Sequence, residues 1–516
     1  MIIAKQKLID ASALCVILVF VLFLFNSSPV NGDFWWFDSS RHALNGIFIR
    51  DFFLEGGLLH PIEFAQTYYQ KYPAINIGFY PPFLYVSAAP FLALFGATHT
   101  VSQAVISLYA LCACVFIFMI CRRQLDSVTS LAVTLSIAAL PTMLLWSRQV
   151  QPDIPAIALL LATAYGLLRH LESGRSGWLF FMSICMGLAV LTRSQAIYAV
   201  PACVFFVFFA KYPQRPALRL RLMAMGTGAV IALPAVLMAV YFSRVNQSLA
   251  LEMPDKPKIW SLENWFWYAK VLPEQVGWGV VALLCVGLIA TVFTSKKSGM
   301  TPPMQVVAAF LCCSWVFFSV VSNKEPRFNL PSLPFLFLLA AFGCYRLSAR
   351  WTAAGSVLLA LFLVVGAVQG PPVPVVAGFK EAALTAQALT PHERNVLISA
   401  HRDGSFIFNM RTVGGRRDIG SRRADKLFVE MKIMRQMGIR NIEMSEQEIV
   451  DLLDREKIST VVSQSGYLSD QPTMQRFQNI LEAGVFYEKQ KTIPLIGETR
   501  ADEKELVVYK RRGLPS

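Results

Sequence analysis

The 516-residue sequence predicts a mainly helical, polytopic membrane bundle of about eleven spans that ends in a small external α/β domain. Three observations predict it. Hydrophobic residues make up 55% of the chain and charged ones only 16%, a balance foreign to a soluble chain of this length. Apolar runs recur from Leu8 to Gly370 between short polar breaks, each near the roughly 20 residues that a bilayer core of about 30 Å requires of a helix. After Pro371 the character changes: 22 Lys and Arg stand there with 19 Asp and Glu, which leaves 25 basic and 14 acidic residues in the first part. The net charge of +14 therefore sits mostly on the membrane part, where basic cytoplasmic loops account for it without nucleic acid.

The candidate spans are residues 9–27, 100–121, 128–146, 154–169, 178–192, 195–211, 222–243, 275–294, 303–322, 330–347 and 352–369. Met1 to Phe25 has no small-residue cleavage site and is long enough to span, so it reads as an anchored first helix. Pro81–Gly96 is also apolar, and it decides the topology. If it does not span, then Lys5, Lys7, Arg122, Arg123, Arg169, Arg175, Lys211, Arg215, Arg219, Arg221, Lys296, Lys297, Arg346 and Arg350 all face one side. Counting it as a span scatters them, against the positive-inside bias. It is therefore read as a re-entrant or interfacial helix broken by Pro81-Pro82 and Pro90. The amino terminus is then cytoplasmic and the tail external. The compact loops and cysteine-free tail fit a bacterial inner (plasma) membrane.

Two domains follow: residues 1–370 in the membrane, with an external loop over 28–98, and residues 375–516 outside. In the loop, Leu44, Ile47, Phe48 and Phe52 recur at helical spacing after Asp38-Ser-Ser, which can cap a helix start. The spacing predicts a helix lying along the membrane surface. The tail alternates β-like runs (Val396–Ser399, Ser459–Val462, Leu506–Tyr509) with helix-like ones (Ala424–Gln436, Ser445–Glu456, Thr473–Ala483), beyond the linker Gly370-Pro-Pro-Val-Pro374. It has no glycine-rich phosphate loop, CxxC or nucleophile elbow. Val413-Gly-Gly-Arg-Arg-Asp418 reads as a turn with a solvated charge run. All ten cysteines lie in or beside apolar runs, as small packing residues do.

Basic residues in short external loops run against the charge bias, which makes them informative. Arg148 lies in Trp-Ser-Arg-Gln-Val-Gln-Pro-Asp153, Arg193 follows Leu191-Thr192, and Lys324 and Arg327 lie in Ser-Asn-Lys-Glu-Pro-Arg-Phe-Asn329. Each alone could snorkel to lipid phosphates. Together with Arg41 they form a cationic ring around the external carboxylates Asp38 and Asp153, suited to an anionic head group held by charge-assisted contacts. Within the spans the only acid is Asp10, at the cytoplasmic end of the first, which counts against an ion-coupled carrier.

At these residues the sequence resembles the GT-C membrane glycosyltransferases, in particular the family-39-like group of protein O-mannosyltransferases and the lipid A aminoarabinose transferase. The resemblance covers about Ser28–Gly343. The family motif Asp-(Glu)-x-Arg-(Tyr)-Ala is matched by Asp38-Ser-Ser-Arg-His-Ala43. A Pro-Pro-Leu-like stretch ending in Leu-Phe-Gly is similar to Pro81–Tyr85 through Leu94-Phe-Gly96, and a basic loop before Leu-Pro-x-x-Pro is similar to Lys324–Pro334. Asp153 and Leu191-Thr-Arg193 fit their places in the pattern. Two positions depart: the usual second acid is Ser39, and the basic residue that often precedes Pro-Pro is Tyr80.

The resemblance implies inverting transfer of a sugar from a polyprenyl-phosphate donor to a lipid, glycan or protein acceptor on the external face. It implies Asp38 as catalytic base, with Arg41, Arg193, Lys324 and Arg327 on the donor phosphate and Asp153, Arg148 and Tyr80 in support. Trp35 and Trp36 either anchor the loop at the interface or line the sugar and lipid entrance. Asp33 reads as a cap or a solvated turn residue. No cofactor is called for; His42 and His60 are external candidates for a divalent metal, but two histidines without further ligands fall short of a zinc site. The rival of another class is a flippase or transporter of lipid-linked sugars, and a lipid-to-lipid phosphotransferase would need a nucleophilic His or Ser in place of Asp38.

Overall fold

The computed structural model describes residues 2–76, 78–210, 212, 215–251, 256–432 and 435–513; Lys211, part of the orientation pattern, lies outside them. The chain falls into two compact units. The first comprises Met1–Ser28, Gly78–Leu84 and Ala104–Pro372, and the second Pro29–Ile77, Tyr85–Gln103 and Val373–Ser516. Where the sequence suggests one boundary near residue 370, the first loop packs with the C-terminal chain.

The first unit is helical throughout. Among the described residues seven helices are long and apolar enough to cross a membrane, namely Gln6–Asn26, His99–Cys121, Asp153–Ser173, Leu218–Tyr241, Trp278–Ser298, Pro302–Val320 and Ala349–Gln369. The expected straight span over 128–146 is instead a pair, Ser127–Ala138 and Pro141–Ser147, bent by 71°. Pro141 causes the bend: it has no N–H to donate back and its ring excludes the preceding helical turn, while its fixed φ starts the next helix. Ser176–Thr192, Ser194–Phe209 and Ser332–Leu347 are shorter apolar helices at the positions of the remaining expected spans. Phe83–Phe95, the stretch expected not to span, is a helix of 13 residues with Pro90 inside it, a rise of about 20 Å.

Backbone approach sets one of the helix contacts. A Cβ on Gly187 would lie 2.5 Å from the Gly228 carbonyl oxygen, and one on Gly228 would lie 2.5 Å from that of Ser183. Glycine on both sides thus lets Ser176–Thr192 and Leu218–Tyr241 touch backbone to backbone.

In the second unit the loop helix runs Phe37–Leu54, one residue before the expected Asp38 cap, and the N-cap residue Trp36 makes no side-chain capping hydrogen bond. Asp38 lies within its first turn. The helix is not an amphipathic element with a wet face: Ser39, Ser40, His42, Asn45 and Asp51 are buried together with Leu44, Ile47 and Phe48. The tail covers its polar side, as described below.

The tail carries a five-stranded sheet of β1 (Asn395–Ser399), β2 (Gly420–Arg423), β3 (Ile458–Gln464), β4 (Tyr487–Pro494) and β5 (Glu505–Arg511), in the order β2-β1-β3-β5-β4. β1 runs parallel to β2 and β3, and β5 runs antiparallel to β3 and β4. Central β3 is buried along its whole length, as expected of a strand covered on both faces. Ser445 and Glu448 form a capping box on the helix Glu446–Arg455, which packs Ile449 and Leu453 into a core with Phe428, Val461, Phe477 and Tyr487. Two expected tail helices are present, at Glu446–Arg455 and Pro472–Ala483. The third is not. Among the described residues the stretch holds only the short α-helix Ala424–Leu427 and a 3-10 turn at Arg435–Met437, and Val429–Met431 pairs antiparallel with Ile439–Asn441, so ladder bonds replace α-helical ones; residues 433 and 434 lie outside the described residues.

Candidate functional site

Four of the basic residues predicted from the loops belong to the first unit, and three of its loops hold them. Arg193 directly follows the helix Ser176–Thr192, and its guanidinium pairs with Asp153, the first residue of Asp153–Ser173. An acid belongs at that N-terminal turn, where the helix dipole is positive. Both side chains are buried. Arg193 also lies 5.6 Å from the Phe328 ring centroid and donates to Gln195 Oε1 at 3.2 Å.

Arg327 shares that ring. Its guanidinium lies 5.7 Å from Phe328 and 5.4 Å from Trp146, with Nε 3.0 Å from Glu325 Oε2 and Nη1 donating to Gln151 Oε1 at 3.4 Å. Two like charges around one aromatic ring repel, so the ring and the two acids hold a geometry that opposes itself.

Lys324 differs from both. Its ammonium donates to the carbonyls of Phe318 (2.6 Å) and Ser319 (3.0 Å), the last turn of Pro302–Val320, and lies 4.9 Å from the Tyr268 ring. Burial lowers its pKa to about 8. An ammonium has three N–H donors and two are used here. Among the described residues no carboxylate pairs with Lys324, nor with Arg148, whose guanidinium donates to Leu144 O at 3.0 Å and Ser27 Oγ at 3.4 Å. Burial pulls Arg148 below its ordinary pKa.

The helix Leu262–Val276 fixes the Lys324–Asn329 segment from beneath, since Gln275 Nε2 donates to Pro326 O at 2.5 Å and Tyr268 Oη to Glu325 O at 3.4 Å. Inside this cluster Asn329 is 1% exposed, and neither of its amide atoms has a partner among the described residues. Tyr80 is half-buried beside Phe79, whose ring packs edge-on against Phe242 at 5.5 Å.

Asp38 and Arg41 belong to the second unit. Asp38 is half-buried in the first turn of Phe37–Leu54. Arg41, one helical turn on, faces Asp403: Nη2 lies 2.7 and 2.9 Å from its two carboxylate oxygens, while Nη1 donates to Ala74 O at 3.4 Å. His42 bonds the Tyr85 hydroxyl at 2.7 Å, and His60 is exposed. Among the described residues no group of three or more His, Cys, Asp or Glu side chains is placed to hold a metal ion.

The stretch around Asp38 is stitched to the tail residue by residue. Gly32 O accepts from Asn409 Nδ2 at 3.0 Å, Phe34 bridges Val376, Trp35 O accepts from Arg402, and the Phe37 ring lies under Arg402 (4.4 Å) and Arg500 (4.7 Å). The Trp35 and Trp36 rings meet edge to face at 5.5 Å. Asp33 is half-buried, and burial raises its carboxyl pKa although Lys380 opposes the shift. Sequence reasoning had no access to Asp403, Arg402, Asn409 or Tyr268, none of which stands in a recognisable motif. Glu325 stands inside the Lys324–Asn329 stretch, where the sequence gives no sign that it pairs with Arg327.

Comparison with known proteins gives two kinds of match. Residues 80–242 match the model of the dolichyl-phosphate-mannose-protein mannosyltransferase family. No curated relative matches the sequence. ArnT from Cupriavidus metallidurans, solved bound to undecaprenyl phosphate, is similar over 98% of both chains with a TM-score of 0.60 and 15% identity. The apo oligosaccharyltransferase of Archaeoglobus fulgidus is similar over 88% of this chain and 69% of its own, with a TM-score of 0.55 and 13% identity. The arabinofuranosyltransferase AftD from mycobacteria is similar over 96% of this chain and 41% of its own, with a TM-score of 0.51 and 13% identity. At these identities the likeness establishes the fold.

Proposed function

From the premise that the chain has the fold of the GT-C membrane glycosyltransferases, we propose that it transfers a sugar from a polyprenyl-phosphate donor to an acceptor hydroxyl or phosphate, with inversion at the anomeric carbon. The observation that carries this reading is the set of cations of the first unit, in which, among the described residues, Lys324 and Arg148 donate to neutral oxygens and pair with no carboxylate. Unmatched buried charge is costly, and an anionic ligand offsets that cost. Undecaprenyl phosphate bound to ArnT supports a lipid phosphate as that ligand.

Asp38 takes the proton of the acceptor hydroxyl as the oxygen attacks the anomeric carbon. The bond from that carbon to the phosphate oxygen breaks, and the electron pair leaves with the polyprenyl phosphate. Arg193, Lys324 and Arg327 stabilise the charge that grows there, with Arg148 in support. A phosphate acceptor would already be ionised and would need no base. Asp153 orients Arg193, and Tyr80 stands where related chains often carry a basic residue. The loop and tail work on the external face of a bacterial inner membrane and the amino terminus is cytoplasmic, with residues 1–370 as the membrane domain and 375–516 as a soluble one. Acceptor and sugar are read from experiment.

The test is a panel of labelled polyprenyl-phosphate sugars offered with lipid, glycan and protein acceptors to the purified protein, with the anomeric configuration of the product determined by NMR. Consumption of one donor with inversion is the expected result. Binding without consumption, together with donor movement between leaflets of proteoliposomes, would instead make the protein a flippase.

A further inference from the structure

The geometry points to Asp403 and Arg41 as positioning residues: the tail helix Asp403–Thr412 grips the helix Phe37–Leu54 at both ends and thereby fixes the backbone that presents Asp38. This rests on the proposed role of Asp38 as base.

The grip is made of two ion pairs of opposite sense. At one end the loop helix supplies the cation, Arg41, to Asp403 at 2.7 Å; at the other it supplies the anion, Asp51, to Arg411 at 2.5 Å. Residues 41 and 51 are about 15 Å apart along their helix and 403 and 411 about 12 Å along theirs, so the paired positions are similarly spaced and the two helices run in the same direction. A helix turned end for end would set like charges against each other. Each end is braced further: Arg423 Nε lies 2.9 Å from Asp403 Oδ2 and is itself paired to Asp425 at 2.7 Å, while Tyr68 Oη donates to Asp51 at 2.9 Å. Burial raises the Asp403 pKa, but Arg41 and Arg423 outweigh it and hold the carboxyl below its ordinary value.

Beside the Arg41–Asp403 pair the two helices pack closely. A Cβ on Gly404 would lie 2.8 Å from Ser40 Oγ and 3.2 Å from Arg41 Cγ. Asp38 sits one turn before Arg41, so a tilt or slide of the loop helix moves its carboxylate directly. The family resemblance assigns Arg41 to the donor phosphate, whereas here its guanidinium is engaged by Asp403 and the Ala74 carbonyl. A general base loses its advantage when misplaced by an ångström, because the proton transfer depends on hydrogen-bond reach.

The experiment uses the full-length protein in detergent and compares turnover of a labelled polyprenyl-phosphate sugar with equilibrium binding of undecaprenyl phosphate. Asp403→Asn and Arg41→Met are each expected to lower turnover at least tenfold, with affinity within twofold of wild type. The double variant should be no worse than the poorer single one, because both remove one interaction. Ser40→Cys with Gly404→Cys places two sulfurs within disulfide reach; in the Asp403→Asn background the oxidised form should recover at least threefold in turnover and lose it on reduction. Recovery by a crosslink is a readout that lost folding or a lost phosphate ligand would not give. If Asp403→Asn does not fold, Asp403→Glu, which keeps the charge and displaces the carboxylate, carries the same expectation. Wild-type turnover in both single variants, or a tenfold affinity loss in Arg41→Met alone, overturns the grip. Asp38→Asn, run in parallel, separates the two readings: if it turns over normally the base assignment falls and the grip's purpose with it, and if it is inactive while the grip variants work, only the grip falls.

Discussion

The arginines of the two units are arranged on different principles. In the second unit each buried guanidinium is answered by a carboxylate: Arg41 and Arg423 by Asp403, Arg402 by Glu503 at 3.2 Å, and Arg411 by Asp51. In the first unit Asp153 and Glu325 answer Arg193 and Arg327, while Arg148 and Lys324 rest on carbonyls and a hydroxyl. A matched network holds chain to chain, and it is satisfied without a ligand. A network with surplus positive charge is left to be completed by an anion, and that difference is the electrostatic ground for proposing the first-unit cations as a binding site and the second-unit pairs as scaffold.

The sharpest way to break the comparison is Arg411→Met. It leaves Asp51 fully buried with less countercharge, and removing one partner of a buried pair costs about 3–5 kcal/mol. Denaturant unfolding should show that loss, while the folded fraction keeps its affinity for polyprenyl phosphate. Lys324→Met should give the reverse pattern. Affinity should fall about 10- to 100-fold, from the ~1.5–3 kcal/mol of a hydrogen bond to a charged group, while stability stays within ~1 kcal/mol of wild type. Loss of stability without loss of affinity would reduce Lys324 to a cap on the helix Pro302–Val320.

A pH series sharpens the same point. With its pKa near 8, Lys324 loses its proton as pH rises through that value, so phosphate affinity should fall above pH 8. The sign for folding is opposite. Between about 8 and the ordinary lysine value near 10.4 the unfolded chain holds a proton that the folded one has released, so this group adds stability as pH rises. Both dependences should vanish in Lys324→Met, and a persisting fall in affinity would point to another group. The smallest effect belongs to Arg417→Ala. Its pair with Glu55 is 3.1 Å long, with both side chains more than 40% exposed, so stability should change by no more than ~1 kcal/mol and turnover not at all.

Much of this was legible in the sequence. Span positions follow from runs of apolar residues, and β1, β3 and β5 from short β-branched runs, because both are local patterns. The helix proposed over 424–436 failed because pairing with Ile439–Asn441 is not local, and the straight span over 128–146 failed where Pro141 outweighed hydropathy. Arg148, Arg193, Lys324 and Arg327 stood out as exceptions to a charge bias, and the structure gathers Arg193 and Arg327 on one ring. What spacing could not reveal is the partner of Arg41. Asp403 lies 362 residues away in a region without motif, and only the fold brings the two together.

The central claim is that Asp38 is the base of a transfer from a lipid-linked donor, and it is tested most directly by measuring polyprenyl-phosphate binding and sugar turnover on the same preparation of Asp38→Asn. The account predicts binding within twofold of wild type and turnover lower by at least the ~10²-fold that general-base catalysis supplies. Turnover equal to wild type would contradict it.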